Sequence, residues 1–451
     1  MAKIRVKNFG PIRGGLTEND GWMEVTKVTV FIGNQGSGKS TIAKLISTFS
    51  WLEKAMVKGE VSKEQYTLNH FKERLAYQNI AEYLIDKEEQ RSEIEYRGEA
   101  LHFHLVNNEI SLALDEELLF DSPKIMYVPS DRNLISAVDN IRTLTGLPRT
   151  IYTFADEFFK AVDKIEKECI LPINAVEFEY DTFTEKAFIK EQDYKLKLSS
   201  ASSGFQALVP LYIVSSYLSK LVKEVQDKRD LDFFFDSDYF SLNDKKRIQK
   251  EIELSFQKRL VRSVTDDVKN RTNTDGNKLD LDDIEIKKII DLSIIDRLSE
   301  LTEKTLKKYI YSYFFNIVEE PEQNLYPTSQ RNIVNSLVEF ANDLPKNKLV
   351  LTTHSPYLIN YLTLAIKAQQ VVSLFEEGDE KLQQVFEIVP AKSLLFGVDV
   401  RVYELSEEGS IFRLETYQGM PSDENWLNKE LEEFNDLFMD LLEIENKNRH
   451  A

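Results

Sequence analysis

Gly33-Asn34-Gln35-Gly36-Ser37-Gly38-Lys39-Ser40 fits the spacing G-x-x-x-x-G-K-[S/T], and Thr41 follows it. Glycines at this spacing let successive backbone N–H groups turn toward one cluster of oxygens. A helix beginning at the lysine adds unsatisfied N–H groups and a positive dipole end. Lys39 then reaches the β- and γ-phosphates of a nucleoside triphosphate, and the Ser40 hydroxyl becomes a ligand for Mg²⁺.

Two other stretches end in groups that could act on such a phosphate. Phe314-Phe315-Asn316-Ile317-Val318-Glu319-Glu320-Pro321-Glu322 is an apolar run closed by adjacent carboxylates. Glu319 is read as holding the metal and Glu320 as orienting or deprotonating the attacking water. Leu349-Val350-Leu351-Thr352-Thr353-His354-Ser355-Pro356 is a short apolar run ending in a histidine that could contact the γ-phosphate. Alone, each is a common pattern; in this order after a phosphate loop they read as one catalytic set, Lys39, Glu320 and His354.

The elements that must carry these residues are legible as periodicities. Alternation around Ile4 and Val6, at Trp22–Val25 and at Val28–Ile32 predicts strands, and Ile42, Leu45, Ile46, Phe49 and Leu52 predict a helix from Thr41 to about Val57. Residues 93–114 predict an antiparallel meander, and Lys124–Pro129 another buried strand. The pattern is helical from Asn133 to about Pro172, alternates over Val176–Lys197, and becomes a long apolar-faced helix over Phe205–Lys228. Tyr309–Val318 and Lys348–Thr352 read as strands from the middle of a parallel sheet. The end offers a hairpin over Val398–Tyr417, then a helix carrying Leu427, Leu431, Phe434, Phe438 and Leu441. Strands and helices in this order describe an α/β fold.

Composition narrows the function classes. The 451 residues carry 57 basic and 76 acidic side chains, a net charge of −19, so the whole-protein field repels a nucleic-acid backbone. Any such contact needs a local basic patch. The one candidate is residues 245–271, where Lys245, Lys246, Arg247, Lys250, Lys258, Arg259, Arg262, Lys269 and Arg271 cluster; a solvated helical surface is the plainer reading. A single cysteine, Cys169, excludes an intramolecular disulfide and reads as core filler. With no signal-like start and no run of about 18 uncharged apolar residues, a cytoplasmic protein without membrane contact is expected. His102 and His104 share one strand face and read as an edge-strand pair without metal.

Together these residues resemble the ABC-type ATPase heads, in particular the OLD (overcoming lysogenization defect)-like and RecF/SMC-like branch. The resemblance lies in the phosphate loop, the opening Ile4-Arg5-Val6-Lys7-Asn8-Phe9-Gly10-Pro11-Ile12 and Tyr127-Val128-Pro129-Ser130-Asp131-Arg132. It continues in Glu319-Glu320-Pro321-Glu322 with Leu325 and Pro327, and in Thr352-Thr353-His354-Ser355-Pro356. Ser202-Ser203-Gly204-Phe205-Gln206, before the long helix, is similar to the ABC signature; the plainer reading of that serine-rich loop is a helix cap.

The resemblance implies a P-loop NTPase head of ABC type with a mixed sheet, an antiparallel β subdomain and helical insertions. It covers residues 1–398 discontinuously, with a core of about 1–132, 195–228 and 308–398, insertions at 133–194 and 229–307, and a C-terminal hairpin and amphipathic helix over 399–451. It further implies ATP with Mg²⁺ and a head-to-tail homo-oligomer in which Ser202, Ser203, Gly204 and Gln206 act in trans. The leading role implied is an ATPase switch for a separately encoded effector such as a nuclease in anti-phage defence, since the acidic pattern of the OLD nuclease domain is not found after His354. A DNA-repair or chromosome-maintenance ATPase, a transporter subunit and an ATP-gated scaffold are the alternatives. Besides the missing nuclease pattern, two positions depart from the family pattern, Glu319 where aspartate is commoner and Gln35 where asparagine is usual, and no clear Q-loop glutamine stands out after the early strands. The acidic tail helix either docks on its own head or recruits another subunit.

Overall fold

The computed structural model describes the chain apart from residues 88–89, 116–117, 139–140, 166–168, 174–175, 229–243, 255–304, 306, 377 and 450–451. The contacts group residues 1–116, 123–223 and 313–451 into one compact unit, and residues 117–122 and 224–312 into a second.

The first unit starts with β1 (Lys3–Lys7), β2 (Gly15–Leu16), β3 (Met23–Glu24) and the fully buried β4 (Val28–Gly33), which runs into α1 (Lys39–Val57). After α2 (Leu68–Tyr77) come β5 (Glu93–Arg97), β6 (Leu101–Val106) and β7 (Glu109–Leu114), then β8 (Pro123–Val128). Next are α3 (Asn133–Ala137), α4 (Arg149–Lys164), and β9 (Cys169–Ile170), β10 (Glu177–Asp181), β11 (Lys186–Lys190) and β12 (Lys195–Lys197). The long helix α5 (Ser203–Lys228) follows. The second half of the sheet comes from β13 (Tyr313–Glu319), α6 (Pro327–Asn342), β14 (Lys348–Thr353), α7 (Pro356–Val372) and α8 (Lys381–Ile388). It closes with β15 (Val400–Leu405), β16 (Ser410–Arg413), β17 (Thr416–Tyr417), β18 (Met420–Pro421) and α9 (Trp426–Arg449).

The principal sheet has seven strands in the order β2-β16-β15-β4-β14-β13-β8. The run from β15 to β8 is parallel, so the carboxyl ends of β4, β14, β13 and β8 share one edge. The terminal hairpin, expected outside the head, differs here: its first strand pairs with β4 itself, Val400 opposite Val28 through Leu405 opposite Gly33. Val400, Val402, Tyr403 and Leu405 are buried, and burying them requires a place inside the sheet rather than beside it.

A second, antiparallel sheet has the order β3-β1-β5-β6-β7 and contains the expected meander. It packs on α1 through aromatic contacts: Phe49 stacks on Phe71 and Tyr96, and Phe103 touches both Phe49 and Phe71. Glu53 of α1, 5% exposed, accepts hydrogen bonds from the Tyr96 hydroxyl (2.9 Å) and from the backbone N–H of Ala100 (2.7 Å) and Leu101 (3.0 Å). Burial raises its carboxyl pKa above the usual range. His102 lies on an internal strand, not an edge, because β7 covers β6; its Nε2 pairs with Glu95 Oε1 at 2.8 Å.

A third sheet has the order β12-β11-β10-β9. Cys169, expected in the core, is half-buried instead, since β9 is the outermost strand and has one open side. Helix α5 is long and apolar enough to cross a bilayer by length and composition; Ala207, Leu208, Val209, Leu211, Ile213, Val214, Leu218 and Val222 on it are fully buried in the protein.

In the second unit a helix covers residues 244–254, where Glu251 pairs with Lys308 at 2.5 Å. Of the basic cluster, Lys258, Arg259, Arg262, Lys269 and Arg271 lie outside the described residues.

Candidate functional site

The phosphate loop is a turn between β4 and α1 whose glycines are sterically required. Gly33 has φ 138° and a Cβ there would fall 2.3 Å from the Leu405 carbonyl oxygen; Gly38 has φ 104° and a Cβ would meet Ile12 at 2.4 Å. The chain on either side of the loop is therefore pressed against β15 and the Pro11–Ile12 turn after β1. Gln35 and Gly36 form the exposed crest, whereas Ser37 and Thr41 are buried and Ser40 is half-buried at the helix start.

Lys39 is 4% exposed, and its Nζ donates to the carbonyls of Gly33 (2.6 Å) and Asn34 (2.7 Å). Its Nζ also lies 3.4 Å from His354 Nδ1. Burial pushes the ammonium pKa down to about 8, against the pull of Glu320 and Glu322, so the site holds a cation ready for a strong anionic partner.

The neighbouring strand ends complete the cluster. Glu320 follows β13 with φ 44°, a left-handed conformation unusual for a side chain with a Cβ, and this turn brings its Oε1 within 3.3 Å of His354 Nε2. The imidazole thus touches Lys39 with one nitrogen and Glu320 with the other. The tautomer with a proton on Nε2 accepts from the ammonium and donates to the carboxylate. The hydrogen bond from His354 holds the Glu320 carboxyl below the usual carboxylate range, with Lys39 and Arg132 helping.

Glu319, 4% exposed, accepts from the Ser130 backbone N–H at 3.2 Å through Oε2, while its Oε1 is buried without a partner. Ser37 Oγ is buried and unpartnered as well. An orphaned carboxylate oxygen costs stability unless a cation or donor meets it. Hard oxygen donors from Ser40 and Glu319 at the end of a phosphate loop suit Mg²⁺, so these residues fit a Mg²⁺-bound triphosphate.

Two residues do more than their sequence context announced. Arg132, with no exposed surface, donates Nη1 to the Glu319 carbonyl (2.7 Å) and the Pro129 carbonyl (3.2 Å), Nη2 to the Glu320 carbonyl (2.7 Å), and Nε to the Ala207 carbonyl on α5 (3.0 Å). Its pKa is pushed down to about 10 by burial. It ties both glutamates to the helix that begins at Ser203. Glu322 accepts from the Thr353 hydroxyl (2.7 Å) and the His354 backbone N–H (2.8 Å), which fixes the turn bearing the imidazole; burial raises its carboxyl pKa. The signals were present: an arginine four residues past the end of β8, and a third glutamate beyond a proline. Neither residue type reveals which carbonyls or N–H groups it will meet.

The serine-rich loop divides in its behaviour. Ser202 and Ser203 are exposed at the start of α5. Gly204 is a close-approach glycine, where a Cβ would lie 2.8 Å from the Asn324 carbonyl oxygen. Gln206, expected to reach a partner, turns inward: its Nε2 donates to the Ser199 (3.0 Å) and Ala201 (3.1 Å) carbonyls of its own loop.

Asn34 is held from the C-terminal side. Its Nδ2 donates to Glu407 Oε1 (2.6 Å), and its Oδ1 accepts from the Trp426 indole N–H (2.8 Å) at the first residue of α9. The start of the tail helix therefore docks on its own head, while Leu437, Phe438, Leu441 and Ile444 further along are exposed.

Strand order and site define the class: an α/β fold of the P-loop NTPase type, with a mixed sheet and an antiparallel β subdomain. Residues 315–360, from β13 into α7, match the family described as "AAA domain, putative AbiEii toxin, Type IV TA system". No curated protein matches the chain. Among solved structures, the SMC head domain from Thermotoga maritima is similar at 12% identity and TM-score 0.33, covering 80% of this chain and 90% of that one. An SmcHead bound to the C-winged helix domain of ScpA is similar at 11% identity and TM-score 0.34 with the same coverage. An Smc head domain with an extended coiled coil, bound to the C-terminal domain of ScpA from Pyrococcus furiosus, has 10% identity and TM-score 0.27 over 97% of this chain and 100% of that one. The strand order and the phosphate loop, rather than these low scores, define the fold.

Proposed function

We propose that the protein is an ATP-hydrolysing switch that closes as a head-to-tail pair around ATP and Mg²⁺. The supporting observation is the contact of one imidazole, His354, with both Lys39 and Glu320 at the edge where the phosphate loop begins. Mg²⁺, held by the Ser40 hydroxyl and Glu319, would neutralise charge on the β- and γ-phosphates. Lys39 leaves the Gly33 and Asn34 carbonyls for the phosphate oxygens. Glu320 orients a water toward the γ-phosphorus and takes its proton as the bond to the ADP oxygen breaks. His354 stabilises that glutamate and contacts the γ-phosphate. Ser202, Ser203 and Gly204 of a second copy cover the phosphate from the other side, in keeping with the exposure of the two serines.

The pair acts, on this reading, in the cytoplasm as the switch for a separately encoded effector, a nuclease in anti-phage defence. The toxin-system description of the matching family supports this direction. A complementation assay tests the paired site. Lys39→Ala and Ser202→Arg are each expected to be inactive, and their mixture to recover roughly a quarter of wild-type turnover, because half the pairs are mixed and each mixed pair has one intact composite site. No recovery on mixing would refute the trans arrangement. Hydrolysis stimulated by DNA and weakened by salt would favour the repair reading over defence.

A further inference from the structure

The far half of α1 lines a cavity that the phosphate loop does not use. It measures about 200 Å³ and lies between α1, α2, β8 and α4. One wall is the Trp51 ring, with the Arg74 guanidinium carbon 3.8 Å from its centroid. Lys54 adds a second cation, its Nζ donating to the Pro123 carbonyl at 3.3 Å. None of the lining residues is acidic, in a chain where acids outnumber bases 76 to 57. This is local selection for an anion against the charge of the whole molecule.

The inner lining is polar and unsatisfied. Thr48 Oγ1 and the Gln78 side-chain oxygen are buried with no hydrogen-bond partner, on side chains less than one-tenth exposed. Gln78 Nε2 donates to Ser47 Oγ at 3.3 Å, which leaves its oxygen as an acceptor. Buried orphans of this kind weaken a fold unless something supplies their partners. A group with donors and acceptors along one edge and a flat face for Trp51 would do so. A dry cavity of about 150 Å³ holds a benzene ring, so this one has room for a nucleobase. Thr153, on the lining, is exposed and marks the side open to solvent.

We propose that this cavity binds a nucleobase bearing one phosphate, with the base against Trp51 and Gln78 and the phosphate at Arg74 and Lys54. The source is either a free mononucleotide or the terminal nucleotide of a strand. The site is separate from the phosphate loop, so the inference stands or falls independently of ATP hydrolysis.

Calorimetry on the full-length Lys39→Ala variant, which disables the phosphate loop, tests it with AMP, GMP, CMP, UMP, ribose 5-phosphate and a 5′-phosphorylated tetranucleotide. At least one mononucleotide should bind at one site per chain, about tenfold or more tighter than ribose 5-phosphate. Adding Arg74→Gln or Gln78→Leu should weaken it about tenfold. Tighter binding of the tetranucleotide identifies a strand end as the source, and weaker binding identifies the free nucleotide. The proposal is overturned if no mononucleotide gives heat, if ribose 5-phosphate binds equally well, or if Arg74→Gln leaves affinity unchanged. Should Gln78→Leu fail to fold by thermal melting, Arg74→Gln alone decides, since its side chain is only partly buried.

Discussion

One helix, α1, borders two regions that differ in charge. At its N-terminus Lys39 lies amid the Gly33 and Asn34 carbonyl oxygens and the carboxylates of Glu320 and Glu322; on the proposed function a polyphosphate would enter there with Mg²⁺ to offset them. At its far half, Lys54 and Arg74 face a cavity with no lining carboxylate, where a singly phosphorylated ligand needs no metal. On the two proposals, the same secondary structure would serve two kinds of anion. Neighbouring elements, rather than the helix itself, choose between them.

The largest effect should come from the acidic side of that contrast. Glu320→Gln keeps the size and the contact with His354 but cannot take a proton. Hydrolysis should fall by about 10²–10⁴-fold with ATP binding retained, and the closed pair should accumulate on size-exclusion chromatography. Turnover at the wild-type rate would remove Glu320 from the chemistry. Next, Lys39→Ala should weaken ATP binding by roughly 10²-fold by calorimetry. Chelating Mg²⁺ with EDTA should likewise weaken ATP binding at the loop while leaving mononucleotide binding at the cavity unchanged; equal sensitivity of both would erase the contrast.

Arg132→Met tests the link between the glutamates and α5. It strips donors from the carbonyls of Glu319, Glu320 and Ala207, and should cost about 2–4 kcal/mol in urea unfolding. The smallest effect belongs to Glu53, the buried carboxylate of α1 that faces neither site. Its folded pKa is raised, so its contribution is complete below the unfolded value near 4.3 and is lost as pH rises through the folded value. Glu53→Gln should flatten that part of the stability–pH curve measured by thermal melting; an unchanged slope would contradict the burial argument.

Much of the framework was legible along the chain. Buried strands β4, β13 and β14 announce themselves as short apolar runs, and the phosphate loop is a local motif whose geometry its own glycines dictate. The placement of the terminal hairpin was not legible, because Val400–Leu405 reads the same whether it forms a detached hairpin or pairs with β4. His102 on an internal strand and Cys169 on an outer one show the same limit: alternation reports which residues share a face, not which strand lies next door.

Residue types and spacing determined that the chain has a glycine-rich phosphate-loop motif, an acidic strand end, a strand-end histidine and the helices and strands to hold them, since each is a property of a few consecutive residues. Which of them touch was decided only in three dimensions. His354 is 315 positions from Lys39, yet the imidazole bonds with both Lys39 and Glu320, and Arg132 reaches two distant segments. Parallel strand order produces those meetings by bringing strand ends to one edge, and no local pattern specifies that order.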